Sequence, residues 1–410
     1  MRCTARKFSY DPAFLNAGIE VSPIMMPASE VIYSFPELPF SSFQGLPGLL
    51  ADSLPDKYGN SLIREYLTRQ GRSPDSMNSI EKLCYIGMRG MGALEYRPAL
   101  DMPEINDQIH IGELVSLAEE ILSRKNHLRI RSDDHAVLQL IQIGSSAGGA
   151  RAKALIAWNE ETDDIRSGQV DAGKGYTYWL MKFDNIKNNK DHGIIPDKRE
   201  YTKVEYAYYL MAKHAGITMS ECRLYKEDGG SHFLTKRFDR TNDGKKIHMQ
   251  SLGAIAHYDF NTPGANSYEE AAIIMNRLGL SHSEAEELYR RMIFNELSKN
   301  YDDHVKNISF LMDRNGNWTL SPAYDVTYAF HPDNPWLRSH QMRINGKREH
   351  IEITDMLQCA SRFQISEKRA RRIIEQVSSA VRIWSDFAQT AGLSEDRMEE
   401  IRRHHNIPFK

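Results

Sequence analysis

The sequence is short of cysteine and pairs none of it: Cys3, Cys84, Cys222 and Cys359 lie far apart, with no CxxC. That spacing argues against both a zinc site and a disulfide framework. Charge of one sign is also missing. With 52 Lys+Arg against 55 Asp+Glu and a net charge of -3, no global field draws the chain to nucleic acid or to an anionic membrane. Any DNA role must be local or lent by a partner. No stretch approaches the ~18 apolar residues of a membrane span, and "MRCTARKFSYDP" at the amino terminus lacks the apolar run of a signal peptide. The expectation is a cytoplasmic protein, neither exported nor inserted. There is no internal repeat and no low-complexity segment.

What is present is a globular composition. The 410 residues, 41% of them hydrophobic, allow two to four domains at ~100 to 200 residues each. Residues 1–100 are rich in Pro and Gly, as in "SPIMMPASEVIYSFPELPF" and "FQGLPGLLADSLPDKYGNSL", which predicts a small α+β domain of short strands, turns and one short helix. Apolar positions at helical spacing predict a connecting helix over 111–124. "VLQLIQI", "KALIAW" and "GYTYWLMKFD" read as strands of one antiparallel sheet, followed by a helix, "EYTKVEYAYYLMAKHAG", with Gly216 as its C-cap. "MSECRLYKE" and "SHFLTKRFDR" read as a further hairpin, and from residue 267 helices dominate. The expected fold class is α+β, with 101–240 a mainly β lobe and 241–410 a mainly helical one.

The densest chemistry lies in "NYDDHVKN", residues 300–307. A polar loop capping a helix would account for it taken alone. The following "ISFLMDRNGNWTLSPAYD" carries Asn315-Gly316, a type I′ turn signal, and with those two as the turn residues facing positions sum to 631. Asn307 then faces Tyr324, and Asp325 returns beside it. An acid at Asp302, an amide oxygen at Asn307 and a second acid at Asp325 suit Mg²⁺, which takes one or two carboxylates and completes its shell with water and phosphate oxygens. Asp302-x-x-x-x-Asn307 is also the spacing of a kinase catalytic loop, with Asp325 in the part of the DFG aspartate, though "YDVT" stands where Phe-Gly would follow. Asp303 breaks that spacing and reads as a loop or supporting residue. His304 is as well suited to a structural role as to an active one; Lys306 can reach a transferred phosphate as a point charge.

A phosphate-binding loop is expected in "GSSAGGARAK", where Gly144, Gly148 and Gly149 let backbone amides approach an anion. A glycine-rich turn between two strands would look the same. Lys182 interrupts an apolar strand, as the strand lysine that meets nucleotide phosphates does, and Glu205 on the following helix, with Glu200 as the lesser candidate, would orient it. "HFLTKRFDR" can supply backbone groups to an adenine.

The order of glycine-rich loop, strand lysine, helix glutamate, "KRFDR", "DxHxKN" and "SPAYD" resembles the HipA family of serine/threonine kinases, the toxins of toxin–antitoxin modules. The resemblance runs from about residue 8 to the carboxyl end and takes in "LPGLLADSLPD" and "IGMRGMGALEYRP". It implies a two-lobed kinase-like fold, ATP and Mg²⁺ as cofactors, and a small helix-turn-helix antitoxin of the HipB kind as partner. It implies Asp302 as the catalytic base and Asn307 and Asp325 as metal ligands. Ala147, Gly148, Gly149, Ala150, Arg151 and Lys153 would line the phosphate loop; Lys182, His304 and Lys306 would serve the phosphates; Lys236 to Phe238 would face adenine. Self-phosphorylation would fall on Ser146 or its neighbour Ser145, placing close to two negative charges where ATP phosphates sit. The family pattern begins with an extra pair of strands before the segment matching "RKFSYDPAFL", which this sequence does not carry.

Three functions compete. The first is a protein kinase that arrests growth, with the resemblance pointing to an aminoacyl-tRNA synthetase as substrate. An aminoglycoside-type small-molecule kinase shares the Asp302, Asn307 and Asp325 logic but has no counterpart of "LPGLLADSLPD". A non-catalytic co-repressor has no need of Asp302, Asn307, Asp325 and Lys182 together. The one concentrated basic stretch, "EKRARRIIEQ", reads as a solvated helix face, so DNA is expected to be reached only through the antitoxin.

Overall fold

A computed structural model describes residues 6–100, 107–123, 134–144, 149, 151–169, 171–184, 186, 200–227 and 230–407. The fold is α+β and resolves into two compact units, one of residues 53–203 and 221–247, the other of 1–52, 204–220 and 248–410.

The first unit is organised on a five-stranded antiparallel sheet. Its strands are β1 (Lys153–Asn159), β2 (Asp164–Ser167), β3 (Thr177–Lys182), β4 (Cys222–Glu227) and β5 (Gly230–Lys236), in the order β2-β1-β3-β5-β4. Aromatic and branched residues favour the pleated surface. Ile156 stands opposite Trp179, and these with Ala154, Met181 and Leu234 are fully buried against helices Lys57–Arg69, Ile111–Ser123 and Asp134–Gly144. The last of these corrects the strand expected for "VLQLIQI". A short apolar run fits a buried strand or a buried helix equally by pattern, and here Val137, Leu140, Ile141 and Ile143 are all enclosed in the core. Gly144 is the last residue of that helix. A Cβ there would meet Leu62 at 2.7 Å and Tyr58 at 3.2 Å, so close packing accounts for the glycine.

"KRFDR" closes this unit with a buried ionic knot. Asp239, 0% exposed, accepts from Nε and Nη2 of Arg237, from Nη1 of Arg240 and from the amide of Gly92. Burial by itself would raise its pKa; the two guanidiniums outweigh it and hold the carboxyl down to about 2.

The second unit is mainly helical. Capping boxes start Tyr268–Arg277 (Ser267 with Glu270) and His282–Ser298 (Ser281 with Glu284). Ile353–Arg362, Glu367–Arg382 and Trp384–Ala391 complete a core around the buried rings of Tyr208, Tyr289, Phe294 and Trp384. Against it lies a three-stranded antiparallel sheet, β6 (His248–Ser251), β7 (Ser309–Met312) and β8 (Trp318–Leu320), in that order. The "EKRARRIIEQ" stretch forms the start of helix Glu367–Arg382; Arg369 pairs with Glu286 and Arg371 with Glu367, the ion-paired surface face expected of it.

The first hundred residues differ from expectation. Residues 6–100 hold five helices and, in place of short strands, one isolated bridge between Phe8 and Tyr33. "LPGLLADS" docks onto the helical unit through helix Gly48–Ala51: the Gly48 amide donates to His257 Nε2 at 2.9 Å, and Asp52 accepts from both the amide and the hydroxyl of Ser251 at 2.8 Å. A Cβ on Gly48 would stand 2.1 Å from the Ala254 carbonyl oxygen, a rigid backbone atom. Gly48→Ala is therefore expected to destabilise this unit by about 1–3 kcal/mol, as overpacking does, read as a lower urea midpoint at unchanged slope.

Candidate active site

Residues 300–307 follow the αL cap of helix His282–Ser298, at Lys299, and end in a single 3-10 turn, Val305–Asn307. The turn hands the chain to β7, and the hairpin that follows is one residue out of the expected register. Phe310 faces Leu320 and Met312 faces Trp318, so facing positions sum to one less than the sequence reading set. The cause is Asp313. Its carboxylate accepts from the amides of Asn315 and Asn317 and from the Asn317 side chain, favouring a three-residue loop with Gly316 at φ 85 over a two-residue type I′ turn.

Tyr324 restores the neighbourhood that the slipped register would have moved. Its hydroxyl donates to the Lys306 carbonyl at 2.6 Å and lies 2.5 Å from Ser309 Oγ, tying residue 324 to the end of the 300–307 segment. Asp303, His304, Asn307 and Asp325 consequently line one cavity in the helical unit. The side-chain nitrogen of Asn307 donates to the Asp302 carbonyl at 2.8 Å, which turns the amide's oxygen, the ligating end, away from that bond. Asp325 sits at φ 52, a conformation that costs energy in a residue with a side chain and that clusters at functional sites. One carboxylate and one amide oxygen fit Mg²⁺, a hard cation that keeps several waters. Asn307 and Asp325 are the residues that would hold it, and the chemistry it would supply there is neutralisation of phosphate charge.

Asp302 is half-buried, and its Oδ1 accepts from the indole N–H of Trp336 at 2.7 Å. His304 places Nε2 4.0 Å from the same oxygen, and its buried Nδ1 has no hydrogen-bond partner among the described residues. Lys306 lies over the Phe260 ring, 4.9 Å from its centre.

Asp303, which breaks the sequence motif, is the most enclosed of the group at 3% exposure. It accepts from Tyr268 Oη at 2.8 Å, His340 Nδ1 at 2.7 Å and the Gln341 amide at 2.7 Å. The other nitrogen of His340 reaches Glu296 at 2.7 Å. Burial would lower the His340 pKa; the Asp303 and Glu296 carboxylates overcome it and push it up to about 9. Nothing in the sequence marks His340, Glu296 or Trp336, because their partners are 34 to 44 residues away in the chain.

In the sheet unit, β1 and β3 set Lys153 directly opposite Lys182. Cross-strand partners share a face, so the two lysines stand on the same side of the sheet. Lys153 is 1% exposed, its Nζ 3.9 Å from Asp56, and a Cβ on Gly149 would stand 2.4 Å from that nitrogen, so the lysine lies directly beneath the glycine. The Arg151 guanidinium stacks on Tyr201, 3.5 Å from the ring centre. The amides of Lys236 and Arg237 are already donated, to Glu221 and Tyr178 carbonyls, so adenine would have to meet other backbone groups of this segment. Glu205 is buried on helix Tyr201–His214, in the other unit from Lys182. Ser145, Ser146, Ala147, Gly148 and Ala150 lie outside the described residues.

Comparison with known proteins adds a lineage to this geometry. Residues 145–384 match the family model of the HipA-like C-terminal domain, and residues 2–97 match that of the HipA N-terminal domain. A Haemophilus influenzae protein named "Putative kinase" is 29% identical over 168 residues, 37% of this chain and 49% of its own length. A Sinorhizobium fredii protein, "Putative kinase Y4dM", is 26% identical over 237 residues, 48% of this chain and 56% of its own. The chain thus matches about half the length of these relatives. Among solved structures, the Shewanella oneidensis toxin–antitoxin complex of HipA, HipB and operator DNA contains a chain of the same fold, with a TM-score of 0.65 at 15% identity, covering 98% of this chain and 89% of that one.

Proposed function

Because the chain belongs to the HipA family, we propose that it is an ATP- and Mg²⁺-dependent serine/threonine protein kinase, the toxin of a toxin–antitoxin pair. The observation that carries the reading is the gathering of Asp302, Asn307 and Asp325 in one unit, with the Asn307 amide anchored on Asp302 and Asp325 held at positive φ on the same cavity. In this reading Asp302 orients the acceptor hydroxyl and takes its proton, while Asn307 and Asp325 hold Mg²⁺. Lys182 and Lys153 pair with phosphates. Residues 147–151 cover the phosphates. His304 and Lys306 flank the transferred group, and the 236–238 segment meets adenine.

Phosphate on Ser146 or Ser145 would then repel nucleotide and switch the enzyme off. An HipB-like helix-turn-helix antitoxin would carry the complex to DNA, and the protein substrate would be met in the cytoplasm. Purified protein incubated with Mg²⁺ and γ-labelled ATP is expected to label serine or threonine in protein. Lys182→Ala should lower that rate about 10²–10³-fold, as loss of a charge on a developing phosphate does. Label entering only a small molecule such as an aminoglycoside would replace this reading, and no transfer at all would leave a non-catalytic partner protein.

A further inference from the structure

The contact between Asp302 and Trp336 belongs to no motif of the sequence. Trp336 comes from an irregular segment, residues 331–341, between the β7–β8 hairpin and helix Ile353–Arg362. That segment is rigidly built. Asn334, 1% exposed, accepts through Oδ1 from the amides of Trp336 and Leu337, and its carbonyl accepts from the Arg338 amide. The Gln341 side chain donates to the Trp336 carbonyl at 2.5 Å.

The foot of the segment is fastened to Asp303, through the Gln341 amide and the His340 ring, and its tip to Asp302, through the indole N–H. Two adjacent aspartates thus hold one loop at two points. Asp303 is buried and enclosed by its donors, whereas Asp302 is half-buried and held at Oδ1 by a donor on a fixed ring.

From this we infer that Trp336 is the positioning residue of the catalytic base: its indole N–H clamps Oδ1 of Asp302, stops rotation of the carboxylate, and so directs the second oxygen toward the acceptor hydroxyl. The inference rests on the kinase reading above. A carboxylate has two oxygens and accepts only, so a donor at one of them orients the other without consuming it. The bond is charge-assisted, which makes it stiff as well as short.

The test replaces the donor and keeps the shape. Trp336 is changed to Phe and, in a second variant, to the isosteric benzothienylalanine, in which sulfur takes the place of the indole N–H. The rate of self-phosphorylation at saturating Mg·ATP, the half-saturating ATP concentration and the thermal midpoint are compared with wild type.

Both variants are expected to lose about 10- to 100-fold in rate, the range of one hydrogen bond to a charged group. ATP half-saturation and thermal midpoint should stay at wild-type values, since the bond touches neither nucleotide nor core. Unchanged rates in the isosteric variant would overturn the inference. So would faster transfer, which would make Trp336 a plug on the base. A lowered midpoint accompanying the rate loss in the isosteric variant would make the bond a merely structural one. If wild type itself transfers no phosphate, the kinase reading fails first and is seen to do so before any variant is compared.

Discussion

Replacing Asp302 by asparagine is expected to lower phosphoryl transfer about 10²–10⁴-fold, the contribution of a positioned general base, while leaving the thermal midpoint within a degree or two of wild type. Asp302 is half-buried and accepts from the Trp336 indole at Oδ1, and an amide of the same shape keeps an oxygen there for that donor. Its neighbour should behave in the opposite way. Asp303 is buried under three donors, Tyr268, His340 and the Gln341 amide, and Asp303→Ala would leave a charged imidazole with one carboxylate in place of two. Breaking a buried charged pair costs about 3–5 kcal/mol, enough to unfold a marginal unit. The sequence spacing, which makes Asp303 the lesser acid, points to a mild effect; its burial reverses that for stability. Denaturation curves beside transfer assays separate the two residues, and loss of activity without loss of stability in Asp303→Ala would exchange their roles.

The second large effect is the pH dependence of the Glu296–His340–Asp303 chain. His340 is fully buried with its folded pKa raised to about 9, above the ~6.5 of a free histidine. A group raised in this way contributes stability that is complete below its unfolded pKa and is lost as pH rises through the folded one. The Glu296 carboxyl is shifted the other way. Burial opposes its charge, but His340, Lys299 and Asn406 outweigh burial and hold the pKa below the usual glutamate range. Its contribution is present above the unfolded glutamate pKa and falls away in acid.

The network is therefore expected to stabilise the helical unit most in mildly acidic solution, to weaken as pH rises above the ~6.5 of a free histidine, and to have lost most of the histidine's contribution by about pH 9. His340→Gln, which leaves two buried carboxylates without their cation, should cost about 3–5 kcal/mol at neutral pH. The gap between it and wild type should narrow as pH rises from ~6.5 through about 9. Urea titrations of both proteins at neutral pH and at pH 10 measure this; a gap that stays constant would mean that His340 is not charged in the fold.

How much of this was readable beforehand depends on the distance over which each feature is determined. Strands β1, β3, β4 and β5 and helices Ile111–Ser123 and Tyr201–His214 lie close to where periodicity and turn residues put them, because a strand's alternation and a helix's apolar stripe are local properties. "VLQLIQI" failed because an apolar run seven residues long carries no period that separates strand from helix. The hairpin failed by one residue because Asp313, outside the two-residue turn signal, offered three hydrogen bonds that the Asn-Gly pair did not foresee.

The sequence by itself determined the inventory of the candidate site: an acid and an amide five positions apart, a second acid across a hairpin, and a lysine at the end of an apolar strand. Those are matters of residue type and short spacing, which the backbone carries unchanged into the fold. Only the tertiary structure decided which of the two adjacent acids is buried and which half-exposed. It also chose the partners for Asp302 and Asp303, because a hydrogen bond from Trp336 or His340 closes a loop of more than thirty residues. Closure over that length is governed by packing of the whole unit, and no local pattern records it.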